Sequence, residues 1–179
     1  MPNYIRAYVP GGSFFFTIVT HQRKRVFTDD ATVDVLRNVV QEVRQRLPFT
    51  VDAWVVLPNH MHAVWTLPEG DADFSKRWGL IKATFTKRVI AAGLVDAGVP
   101  LSPLWQPRFW EHRIRDEKDF AAHIDYVYIN PMKHGLVASV ADWPWSSFHR
   151  DVQRGLYPAN WGSEINLDHS RQYGEPNDS

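Results

Sequence analysis

Thr50-Val-Asp-Ala-Trp-Val-Val-Leu57, Pro58-Asn59 and His60-Met-His-Ala-Val-Trp-Thr-Leu67 form one continuous stretch whose reading decides the fold. Both runs are rich in valine, threonine and tryptophan, residues that suit a pleated, half-buried surface. Pro58-Asn59 between them is turn chemistry, so the stretch predicts a β-hairpin. Side chains alternate along a strand, so His60 and His62 leave one face of the second arm while Met61 enters the opposite layer. Two neutral imidazoles at that spacing can share one metal ion.

Upstream of the hairpin, Phe14-Phe-Phe-Thr-Ile-Val-Thr20 follows a Pro-Gly-Gly turn and reads as a first strand. From Thr28 or Asp29, both good N-caps, Val33, Leu36, Val39, Val40, Val43 and Leu47 recur at helical intervals as far as Pro48. Downstream, Phe74 to about Ala92 carries Phe74, Trp78, Ile81, Phe85, Val89 and Ile90, with Lys76, Arg77, Lys82, Lys87 and Arg88 between them. That spacing predicts a second helix with a basic face. Leu94 to Pro103 reads as loop, and Trp105 to Ile114 as another strand. In that strand Phe109, Glu111 and Arg113 face one way and Arg108, Trp110, His112 and Ile114 the other. Asp116-Glu-Lys-Asp-Phe120 then opens a third helix with acidic residues at its positive end. The order β-α-β-β-α-β-α specifies an α+β fold, a ferredoxin-like (RRM-like) antiparallel sheet with helices packed on it.

Length and composition bound the function. With 179 residues the expected organisation is one domain over residues 1–150 and a partly mobile C-terminal tail over 151–179. There is no cysteine, which excludes a disulfide framework, a thiolate zinc site and a cysteine nucleophile. Any metal must be held by nitrogen and oxygen. Twenty basic and 20 acidic side chains balance overall, so net charge gives no support for a nucleic-acid partner. The first fifty residues hold seven Lys/Arg against four Asp/Glu, and residues 151–179 hold two against five. No basic segment followed by an apolar one opens the chain, and no run of about 18 apolar residues occurs. The expectation is a cytoplasmic protein with no membrane partner.

Within the third helix His123, Tyr126 and Asn130 are three and four residues apart and project from one side. Phe120, Ile124 and Val127 form the adjoining apolar stripe. Asn130 precedes Pro131, which disfavours α geometry at Asn130. The expectation is therefore that Asn130 ends the helix or caps a new turn beginning at Pro131.

Leu57-Pro-Asn-His-Met-His62, Trp105-Gln-Pro-Arg-Phe-Trp-Glu-His112 and Asp125-Tyr-Val-Tyr-Ile-Asn-Pro-Met-Lys-His-Gly-Leu136 occur in that order. Together they resemble the single-tyrosine transposases of the HUH endonuclease superfamily, in particular the branch called REP-associated tyrosine transposases. The resemblance runs from about Phe14 to Phe148. It implies that His60 and His62 are metal ligands, that Asn130 is the third ligand, and that Tyr126 is the nucleophile of a metal-dependent single-stranded DNA endonuclease and strand transferase. The divalent cation would be Mg²⁺ or Mn²⁺, and the partner single-stranded or hairpin DNA at palindromic repeats. His123 and Lys133 are candidates to assist Tyr126. Tyr128 is the competing nucleophile. Tyr126 is preferred because a polar residue stands four positions after it and because it lies on the His123 and Asn130 side. Lys82, Lys87, Arg88 and Arg108 are candidate contacts to the DNA strand, although each also reads as an ordinary solvated charge. The resemblance leaves monomer and homodimer both open.

Two other readings compete. In a non-catalytic single-stranded nucleic-acid-binding module, Phe14 to Phe16 and Trp54 would present rings to bases on an open sheet. In a metal-dependent phosphodiesterase, water rather than a tyrosine would attack phosphorus.

Overall fold

The computed structural model describes residues 10–95 and 103–163. Among these residues four strands and four α-helices follow in the order β1 (Ser13–Val19), α1 (Asp30–Arg46), β2 (Thr50–Leu57), β3 (His60–Thr66), α2 (Phe74–Ala91), β4 (Trp110–Arg113), α3 (Glu117–Lys133) and α4 (Phe148–Gln153). The strands form one antiparallel sheet in the order β2-β3-β1-β4, so the expected α+β sheet with helices packed on it is what the chain builds. Each long helix opens on an aspartate cap. Asp29 accepts from Thr32 N, Asp73 from Lys76 N and Asp116 from Asp119 N, at 2.8–2.9 Å. Such caps each contribute about 1 kcal/mol.

The period-two alternation sorts side chains onto two faces. Phe14, Phe16, Ile18, Met61, Ala63 and Trp65 join Leu36, Val39, Trp78, Ile81 and Phe85 of α1 and α2 in one core. Trp65 stacks on Trp78 with ring centres 4.1 Å apart. Phe15, Val55, Leu57 and Val64 point the other way and pack beneath Ile124, Val127 and Tyr128 of α3. A two-layer ferredoxin-like fold would leave this second face open, whereas here α3 covers it. Phe14, Phe15 and Phe16 are all fully buried, so none presents a ring on an open sheet as a base-binding module requires.

The fourth strand is shorter than expected. Only Trp110–Arg113 pairs continuously with β1, because Pro107 has no N–H to give a ladder. Trp105 makes a single bridge to Thr20 and buries its ring against Phe27 and Phe85. The expected alternation still holds within β4, where Glu111 is buried opposite Phe16 while Trp110 and His112 lie opposite Thr17 and Phe15.

The third helix runs through the point where Asn130-Pro131 was expected to stop it. Pro131 withholds only its own N–H, and Asn130 O still accepts from His134 N at 3.0 Å. Termination comes at Gly135, whose φ of +68° suits a left-handed helix end. Gly135 N bonds Met132 O and Leu136 N bonds Pro131 O, each at 2.9 Å.

Position 150 falls inside α4, and Tyr157 and Trp161 pack against the α3 core. The remainder of the expected tail, 164–179, and most of the expected loop, 96–102, lie outside the described residues. Residues 143–147 seal the outer edge of β2, with Val56 N donating to Trp145 O at 2.9 Å and Ser147 N to Trp54 O at 2.8 Å. Among the described residues no helix is long and apolar enough to cross a membrane.

Candidate active site

The hairpin delivers the histidine pair to the sheet face under α3. His60 and His62 are 3% and 0% exposed, with ring centres 5.0 Å apart. Each is oriented through Nδ1. His60 Nδ1 lies 2.6 Å from Asn59 Oδ1, and His62 Nδ1 lies 2.9 Å from Thr17 Oγ1. An amide oxygen only accepts, so His60 Nδ1 carries the proton and its lone pair is on Nε2. A metal-binding histidine is commonly fixed in this way, the second nitrogen held by a neighbouring polar group.

The helix α3 and its C-cap residue His134 bring three side chains over that pair. The Tyr126 ring lies 5.3 Å from the His62 ring, and the His134 ring 5.1 Å from the His60 ring. Asn130 is one helical turn from both, so it occupies the part of α3 bracketed by two residues that touch the histidine pair. It is fully buried. The donor chemistry of two imidazoles and one amide oxygen fits a divalent cation that keeps positions open for a further ligand.

Tyr126 is 7% exposed, and Lys133 Nζ donates to its hydroxyl at 3.1 Å. The same ammonium sits 4.9 Å from the centre of the Tyr126 ring. A cation at the phenol oxygen favours the phenolate, since its hydrogen bond strengthens as charge develops there.

Tyr128, two residues on, is turned into the second core. It is fully buried among Phe148 and Tyr157, and its hydroxyl donates to the Asp151 carboxylate. Burial, and then the carboxylate beside it, push this phenol well above the ordinary tyrosine range.

His123 joins the site through Phe15, whose ring touches those of His62, His123 and Tyr126 at 5.5, 5.0 and 5.9 Å. His123 Nδ1 donates to Asp119 O at 2.8 Å, and its ring stacks on His112 at 4.6 Å. Burial holds its pKa below the usual histidine value, so it is a neutral imidazole at pH 7. Asp119 accepts from His112 Nε2 at 2.9 Å and Arg115 N at 3.0 Å. Burial alone would raise its pKa, but these hydrogen bonds hold the carboxyl far below the usual range. His112, Asp119 and His123 have ligand atoms within 4.8 Å of one another, a second group whose chemistry suits a metal. Phe15 stands between this group and His62.

The basic candidates do not converge on this site. Lys82, Lys87 and Arg88 belong to α2, across the sheet from α3. Lys82 Nζ donates to Gln106 O at 3.1 Å and lies over the Phe109 ring. With Lys87 and Trp105 it lines a surface cleft of about 460 Å³. Arg88 is bound by both oxygens of Glu42 at 2.6 and 2.8 Å. Arg108 is exposed just before β4.

Sequence reasoning missed Phe15, Thr17, Asn59, Asp119 and His134 as parts of this site. Asn59 carries a local signal, being adjacent to His60 within Pro-Asn-His, although Pro-Asn is also ordinary turn chemistry. The roles of Phe15 and Thr17 depend on the β1–β3 register, and that of His134 on the helix continuing past Pro131.

The chain is 50% identical over 166 residues to the REP-associated tyrosine transposase of Escherichia coli K12, covering 92% of this chain and 93% of the relative. The chain belongs to the REP-associated tyrosine transposases. A Haemophilus influenzae Rd protein given the same family name is 40% identical over 171 residues, with 93% and 97% coverage. A solved structure of the REP-associated tyrosine transposase bound to a REP hairpin superposes with a TM-score of 0.82 at 47% identity, covering 98% of both chains. No family model matches. As a member of this family the chain is an enzyme, a tyrosine transposase.

Proposed function

We propose that this transposase cleaves and rejoins single-stranded DNA at or near palindromic repeat hairpins, with Tyr126 as nucleophile. The observation that carries the reading is the position of Tyr126, its ring 5.3 Å from His62 and its oxygen 3.1 Å from Lys133 Nζ. The hairpin substrate follows from a relative solved bound to a REP hairpin.

In this reading the Tyr126 oxygen attacks phosphorus, a Tyr–O–P bond forms and the P–O3′ bond breaks. The phenolic proton leaves as attack proceeds and the departing 3′ oxygen gains one, so a 3′-hydroxyl and a 5′-phosphotyrosine result. Bond energy is retained, and attack by a second 3′-hydroxyl on the phosphotyrosine reverses the step into a new junction. Lys133 stabilises the phenolate as it forms. The neutral His123, one helical turn from Tyr126, accepts or returns the proton. His60, His62 and Asn130 would hold a divalent cation, Mg²⁺ or Mn²⁺. When bound, that cation polarises the scissile phosphate and stabilises charge on the leaving oxygen.

The test is incubation of the full chain with a labelled REP hairpin carrying single-stranded flanks and Mg²⁺ or Mn²⁺, followed by a denaturing gel. A covalent adduct with wild type and none with Tyr126→Phe is the expected result. Cleavage without any adduct would favour hydrolysis by water, and binding without cleavage would favour a non-catalytic module.

A further inference from the structure

One large aromatic side chain near this site is exposed. Trp110 opens β4 and is 45% exposed. Single exposed aromatics are ordinary; the register is what distinguishes this one. Thr17 lies directly opposite Trp110 on one side and directly opposite His62 on the other. Directly opposed residues of an antiparallel pair share a face, so Trp110, Thr17 and His62 form one row across three strands on the α3 side. Thr17 is also the residue whose hydroxyl holds His62 Nδ1. Neighbouring strands are about 4.8 Å apart, so Trp110 Cα stands roughly 10 Å from that of His62.

The two sheet edges differ. Residues 143–147 cover the β2 edge, whereas among the described residues β4 pairs only with β1. On the β4 side the row ends at Trp110, whose side chain is exposed while Thr17 and His62 are buried. Arg108, two residues before Trp110, is exposed, while Glu111 and Arg113 fall on the opposite face of the sheet. An exposed aromatic ring beside an exposed guanidinium is the chemistry of a single-stranded nucleic-acid platform, with a base on the ring and a phosphate on the cation.

We infer that Trp110 is the stacking platform for one unpaired base flanking the scissile phosphate, holding the strand so that this phosphate reaches Tyr126. The inference rests on the strand-transfer reading above and adds the residue that positions the DNA. Every base has a π-face, so the platform fixes position more than sequence.

The experiment uses the full chain in the Tyr126→Phe background, so that no strand is consumed, with labelled REP hairpins in which each flanking nucleotide is made abasic in turn. Equilibrium binding is measured for that parent and with Trp110→Ala and Trp110→Phe added. Stacking of one base is worth about a 5- to 150-fold change in Kd. In the parent, one flank position alone should show that loss when abasic. Trp110→Ala should weaken intact DNA by a similar factor and abolish the sensitivity at that position, and Trp110→Phe should recover most of both. An unchanged Kd for Trp110→Ala, an abasic penalty that survives it, or a parent with no sensitive flank position overturns the inference while leaving the strand-transfer reading intact. A parent that binds none of these DNAs overturns both.

Discussion

Removing one oxygen from Tyr128 separates a structural tyrosine from the proposed nucleophile two residues away. Tyr128→Phe keeps the ring against Phe148 and Tyr157 and deletes only the hydroxyl that donates to Asp151. A hydrogen bond to a charged group contributes about 1.5–3 kcal/mol. Asp151 is buried but still accepts from Arg150 Nε at 3.0 Å, so the loss should stay within that range. For a chain of this length each kcal/mol shifts the thermal midpoint by about 2–4 °C, which gives a fall of about 3–12 °C. Tyr126→Phe removes a hydroxyl whose partner, Lys133, is only half-buried, and should cost less than about 1 kcal/mol. Thermal unfolding followed by circular dichroism, run beside the covalent-adduct assay, reads both effects. The expected result is a double dissociation: Tyr128→Phe is less stable and still forms the adduct below its midpoint, while Tyr126→Phe is nearly as stable as wild type and forms none. A Tyr128→Phe protein with an unchanged midpoint, or one that is folded but makes no adduct, would refute the reasoning.

Chelation with EDTA should stop cleavage and Mg²⁺ or Mn²⁺ should restore it. His62→Ala, measured by single-turnover cleavage, should lose at least about a hundredfold in rate, the scale of losing a principal electrostatic contribution; a chelator-resistant enzyme would count against the histidine pair as a metal site. Arg77 holds Asp71 through two hydrogen bonds at 2.7 and 3.1 Å, and this keeps the Asp71 carboxyl below its ordinary pKa. Its stabilisation is present above the ordinary carboxylate value and is lost as pH falls through the lowered one. The midpoint gap between wild type and Asp71→Asn should therefore be full at pH 7 and shrink below about pH 4; a gap that widens in acid would contradict the sign. Gly162 has φ +93°, and an added Cβ would come within 2.8 Å of Val140 Cγ2 and 3.2 Å of Ile129 Cδ1. Gly162→Ala should lower stability by about 1–3 kcal/mol in a denaturant titration, and a neutral effect would mean that residues after α4 do not pack on α3.

Much of the fold was legible because it depends on local periodicity. The apolar spacing of α1 and α2 and the paired runs around Pro58-Asn59 each mark an element without help from distant residues. The errors came where a nonlocal contact decided the outcome. Asn130-Pro131 looks like a helix stop, but Gly135 provides a better one four residues after Pro131, and a proline near a helix end withholds little. Trp105 has strand character, yet it keeps only a single bridge to Thr20 while its ring packs against Phe27 and Phe85. For the site, His60, His62 and Tyr126 were legible through their spacing and order. Thr17, Phe15 and His134 were not, because each joins the site only through strand register or through the crossing of α3 over the sheet. The basic residues of α2 are a charge pattern visible in the sequence, carried on a helix that packs on the far face from the histidines.

The most direct test of the account locates the nucleotide on the protein. Trypsin releases Asp119 to Lys133 as one peptide containing both Tyr126 and Tyr128. Fragmentation mass spectrometry of that peptide, from the adduct formed with a REP hairpin, distinguishes the two. The phosphonucleotide mass is expected on Tyr126; finding it on Tyr128, or on a residue outside this peptide, would contradict Tyr126 as the nucleophile.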